Sequence, residues 1–103
     1  MAKPLYVGMA APNAVRVRVD KAADDTDYDP TAVTTATIEV TRPDGTTASW
    51  STTLSSVSAS GLTAAHTLAG GDLTVSGDYS YYVKLNVPSG WTRTVKRTFP
   101  VED

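Results

Sequence analysis

Apolar and polar residues alternate in three clear runs along this chain. Val15, Val17 and Val19 alternate with Arg16, Arg18 and Asp20. Ala36, Ile38 and Val40 alternate with Thr37, Glu39 and Thr41. The longest run sets Tyr79, Tyr81, Val83, Leu85 and Val87 against Ser80, Tyr82, Lys84 and Asn86. Successive side chains of a strand point to opposite faces, so each run predicts a strand with one buried face.

The segments between these runs carry turn chemistry. Arg42-Pro43-Asp44-Gly45 predicts a hairpin turn, because Pro presets φ, Asp bonds locally and Gly accepts positive φ. The return strand is expected to carry Ala48, Trp50 and Leu54, followed by a small-residue loop over 55–61. Residues 62–68 read as a strand with Leu62, Ala64, His66 and Leu68 on one face. Ala69-Gly70-Gly71-Asp72 marks a turn, with Leu73 and Val75 plugging the end of the core. Val87-Pro88-Ser89-Gly90 predicts a second hairpin turn, and one last strand over 91–101 pairs back. At the other end, residues 4–9 read as a short strand or arm, broken by Ala10-Ala11-Pro12-Asn13, and residues 21–30 as a polar loop. The expected core joins Val17, Ile38, Val40, Trp50, Tyr79, Tyr81, Val83, Leu85 and Phe99.

Composition narrows this picture. The chain has 103 residues, the size of one domain, so residues 1–103 are expected to form a single sandwich with residues 1–12 as an N-terminal strand or arm. Thr and Val dominate and favour strands over helices. Without Cys there is neither a disulfide nor a thiolate metal site. A net charge of −2 argues against a generic polyanion-binding surface. No apolar run approaches the ~20 residues of a membrane span, and residues 1–6 lack the apolar stretch of a secretory signal. The expectation is a chain made and kept in the cytoplasm until something releases it, with no membrane contact.

Three groups of residues invite a chemical reading. Five of the nine Asp residues lie within 20–29. Asp25, Asp27 and Asp29 have the alternate spacing that presents carboxylates to calcium, but Pro30 stands where a calcium loop needs Gly and no closing Glu follows. A solvated acidic loop that binds no cation tightly is expected. His66 is the only His, and no nucleophile, base and orienting group converge on it in the sequence. No catalytic residue, cofactor or small-molecule substrate is expected. Lys84, Arg93, Lys96 and Arg97 fall on two strands expected to pair, with Tyr82 and Trp91 nearby. Interleaved bases and aromatics can bind nucleic acid or sugar, or merely protect an edge. Given the negative net charge, nucleic acid is not expected, and a protein contact fits better. Trp91, Tyr82 and Arg93 are the candidate partner-binding anchors, since large aromatics and Arg carry most interface energy. The alternative is that Trp91 simply packs over the hairpin end.

Gly77-Asp78-Tyr79 resembles the tyrosine corner that opens strand F of immunoglobulin-like (Ig-like) sandwiches. About seven short strands at this spacing fit the same class, an all-β, Ig-like antiparallel sandwich. A wider resemblance covers about residues 34–101. It rests on Ile38-Glu39-Val40-Thr41-Arg42-Pro43-Asp44-Gly45-Thr46, on Ser76-Gly77-Asp78-Tyr79-Ser80-Tyr81 and on Lys96-Arg97-Thr98-Phe99-Pro100-Val101. This pattern is similar to the Ig-like N-terminal domain of phage baseplate upper proteins and to small Ig-like virion accessory proteins of tailed phages. The resemblance implies a non-enzymatic structural subunit of a phage or phage-like particle, in the capsid decoration, neck, tail or baseplate. Its partners would be other virion proteins, and the isolated chain a weakly associating monomer. The alternative is an Ig-like carbohydrate- or cell-surface-binding domain of a larger adhesin.

Overall fold

A computed structural model describes residues 5–20, 29–88, 90–94 and 96–103. Eight strands follow one another: β1 Ala14–Asp20, β2 Thr35–Thr41, β3 Thr47–Ser51, β4 Thr53–Ser58, β5 Gly61–Thr67, β6 Gly77–Val87, β7 Gly90–Arg93 and β8 Arg97–Val101. A 3-10 turn over Pro30–Ala32 precedes β2, capped by the Asp29 side chain, which accepts from the Thr31 N–H. All strand pairings are antiparallel.

The strands form two sheets, one in the order β1-β5-β4 and one in the order β3-β2-β6, with β7 and β8 both on the far edge of β6. With β1 in the B position, this reads B-E-D facing C′-C-F-G, the strand order of an Ig-like sandwich. The core lies between the sheets. Val17, Val19, Leu62 and Ala64 enter from the smaller one, and Ala36, Ile38, Val40, Trp50, Tyr79, Val83, Leu85 and Val101 from the larger. Leu68 and Leu73 close one end of the core. Tyr81 and Phe99, both expected in the core, are partly buried against it.

The tyrosine corner is present. Tyr79 is fully buried, its hydroxyl donates to the Val75 carbonyl at 2.7 Å, and the Val75 N–H donates back to the hydroxyl at 3.2 Å. This ties the approach from β5 to the first turn of β6. The Pro-Asp-Gly turn forms as expected. Gly45 has φ of +88°, its N–H donates to the Arg42 carbonyl, and Asp44 accepts from both the N–H and hydroxyl of Thr46.

Three expectations need correction. The return strand is two strands, and Trp50 and Leu54 lie in different sheets. The switch falls at Thr52, whose hydroxyl donates to the Ala36 carbonyl at 2.6 Å and holds the chain where it crosses over. Residues 55–58, read as loop, belong to β4. Most of β4 is exposed, so its side chains gave no alternation; the pairing with β5 comes from its backbone. The last strand is also two strands. β7 and β8 pair with β6 in registers that differ by one residue, as Lys84 faces Arg93 while Tyr81 faces Arg97. Three residues, 94–96, therefore oppose two, which makes a β-bulge. Thr94 anchors it: its N–H donates to the Val83 carbonyl and its hydroxyl accepts from the Val83 N–H.

The expected N-terminal arm is tied down through residues 5–8. Tyr6 forms a parallel bridge with Glu102, Glu102 N–H donates to the Leu5 carbonyl, and Gly8 N–H donates to the Leu73 carbonyl. Among the described residues no helix is long and apolar enough to cross a membrane.

Candidate outer-face docking site

The bulge decides which side chains the larger sheet shows to solvent. Side chains alternate along a strand, so a one-residue slip exchanges the two faces. Phe99 and Val101 on β8 point inward, and Phe99 stacks on Tyr79 with ring centroids 5.4 Å apart. Trp91 and Arg93 on β7 share their parity in sequence yet lie on the outer face. There they meet the outer residues of β6, with Asn86 opposite Trp91 and Lys84 opposite Arg93.

The three candidate anchors thus share one face. The Arg93 guanidinium sits over the Tyr82 ring at 4.9 Å from its centroid, and the Lys84 ammonium sits 5.1 Å from that of Trp91. The result is a ladder in which each cation covers an aromatic ring diagonally across the strand pair. Such pairs are worth about 0.5–1 kcal/mol at exposed sites, so they orient side chains more than they stabilise the fold. Trp91 is 60% exposed. Next to the ladder, Glu39 lies opposite Tyr82 and accepts a short hydrogen bond from the Ser49 hydroxyl.

The remaining basic candidates lie elsewhere. Lys96 is exposed in the bulge, outside both strands. Arg97 faces Tyr81 and so shares the inner side of the sheet. Lys84 was in the basic group but not among the anchors; the i, j−2 diagonal of a paired hairpin is the signal that places it beside Trp91.

His66 belongs to a different arrangement. Its ring stacks on Trp50 at 4.8 Å, Nδ1 lies 2.8 Å from the Ser51 carbonyl, and Nε2 lies 2.7 Å from the Asp72 carboxylate. Asp72 also accepts from the Ala69 N–H, and Arg42 donates to the Asp72 and Gly71 carbonyls. Both ring nitrogens thus face acceptors supplied by the fold, and the group staples the 69–72 turn to β3 and β5. Trp50 Nε1 is buried without a hydrogen-bond partner among the described residues.

The acidic loop lies largely outside the described residues, including Asp24, Asp25 and Asp27. Of its described ends, Asp20 pairs with Arg18 at 3.0 Å and Asp29 caps the 3-10 turn. Among the described residues no three His, Asp or Glu side chains gather as metal ligands would.

Compared with protein-family models, curated proteins and solved structures, the chain gives no match.

Proposed function

We propose that the protein is a non-enzymatic docking subunit, a structural part of a phage or phage-like particle. It binds another particle protein through the outer face of its five-stranded sheet. The observation that carries this reading is the Trp91–Lys84–Arg93–Tyr82 ladder, an exposed Trp91 and a half-buried Tyr82 held in place by two cations on one sheet face. Aromatics and Arg of this kind supply the anchors of protein interfaces. The particle context is supported by the sequence resemblance over residues 34–101. The absence of an enzymatic role is supported by His66, whose nitrogens are both taken up by Ser51 and Asp72.

A carbohydrate-binding role is the second reading, favoured by an exposed indole with the Asn86 amide opposite it. Incorporation into particles separates the two. Trp91→Ala and Tyr82→Ala, made one at a time, are expected to fold and to lower occupancy in purified particles. Wild-type occupancy for both folded variants overturns the proposal. Loss of glycan binding with unchanged occupancy favours the second reading.

A further inference from the structure

Among the described residues no strand pairs along the outer edge of β1. In a sandwich with B-E-D in one sheet, strand A pairs with the free side of B. Among the described residues β1 pairs only with β5, over an unbroken register from Ala14–Thr67 to Asp20–Gly61. The Leu68 N–H donates to the Asn13 carbonyl, so Asn13 and every second residue after it direct their backbone groups toward β5. Ala14, Arg16 and Arg18 therefore direct theirs outward, where they meet no partner among the described residues.

Beside this edge lies an open groove of about 640 Å³ between the two sheets. Val15 and Val17 line one wall, Tyr81 and Phe99 the other, and Leu5 and Met9 one end. The volume falls within the range of about 300–1,000 Å³ typical of ligand pockets. A strand added to β1 would complete the smaller sheet and place alternate side chains in this groove.

The facing edge of the larger sheet is closed to such a strand. Glu102 is bonded to the arm through both its N–H and its carbonyl, which marks the outward side of β8. Pro100 lies on the same side and has no N–H to donate. Two further edges are blunted. β4 is bulged, with Ser56 at φ of +50°, and β7 is only four residues long.

Charge selects the occupant. The outward side chains of β1 include Arg16 and Arg18. Arg18 is taken up by the Asp20 carboxylate, the Ser56 carbonyl and the Thr63 hydroxyl, whereas Arg16 lines the groove with no partner among the described residues. A second copy would bring its own β1, where Arg16 and Arg18 outnumber Asp20, so it offers no acidic face to complement Arg16. We infer that β1 accepts an extended strand from a different protein, with apolar residues facing the groove alternating with acidic residues on the face that carries Arg16. This rests on the β1 edge and not on the outer-face ladder.

The test uses the full chain, isotope-labelled, with a short blocked peptide of alternating valine and glutamate and its valine–lysine counterpart. The glutamate peptide is expected to slow amide exchange at Ala14, Arg16 and Arg18 by roughly tenfold or more, and the lysine peptide to leave it unchanged. Arg16→Pro removes an edge donor without removing a bond to β5, and should abolish the effect while the melt shows a folded protein. Arg16→Glu keeps the backbone intact and should shift the preference toward the lysine peptide. No slowing at β1, equal slowing by both peptides, or slowing confined to another edge overturns the inference. So does protection in the free protein, whether it rises with concentration, which makes a second copy the occupant, or does not, which makes it the chain itself.

Discussion

Single residues set the local geometry, and Asp44 shows how far one can be read physically. Its carboxylate accepts from the Thr46 hydroxyl at 2.6 Å and the Thr46 N–H at 3.0 Å, with the Arg42 guanidinium also favouring the charged form. These hold its pKa below the ordinary 3.8. A group whose pKa is lowered by folding stabilises the protein above its unfolded value, and that contribution fades as pH falls through the folded value. Asp44 is exposed, so the contribution is small; it is present at neutral pH and is lost only in the acid range. An NMR titration is expected to find its midpoint below 3.8 in the wild type and closer to 3.8 in Thr46→Ala. Equal midpoints in the two proteins would remove Thr46 as the cause. The turn itself was legible in sequence, because Pro43, Asp44 and Gly45 each have one strong local preference. The role of His66 was not, since Ser51 and Asp72 reach it only through the pairing of strands.

At the scale of elements, alternation worked where one face is buried and failed where none is. β1, β2 and β6 were readable because their inward Val, Ile and Tyr residues alternate with polar ones. β4 was not, because its Ser-rich exposed edge carries no pattern. The bulge at 94–96 was hidden for another reason: Trp91, Arg93, Phe99 and Val101 all have the same parity, which a single strand would place on one face. Lys96 is exposed in this bulge, so Lys96→Ala should change stability by no more than about 0.5 kcal/mol. Deleting Lys96 merges the two registers and forces either Phe99 outward or Trp91 inward. A cost of roughly 3–5 kcal/mol is expected, the order of losing a core aromatic. Denaturant melts of the two variants measure the difference, and a near-neutral deletion would contradict the bulge.

Across the whole molecule, one core joins both sheets, and its principal axes span 39 × 26 × 22 Å. Ile38 sits at its centre, fully buried on β2, which is flanked by β3 and β6. Ile38→Ala should cost about 2–5 kcal/mol, because the removed atoms leave a cavity that rigid neighbouring strands fill poorly. A cost under about 1 kcal/mol in a urea melt would mean that Ile38 is not packed as described. The sequence alone determined the all-β class, the faces of β1, β2 and β6, the Pro-Asp-Gly turn and the Tyr79 corner. Each depends on periodicity or on residues within a few positions of one another. Tertiary structure decided the sheet switch at Thr52, the outer-face placement of Trp91 and Arg93, and the pairing of β1 with β5. Each depends on which strand lies beside which, and strand neighbours are chosen by burial and backbone pairing across the whole chain.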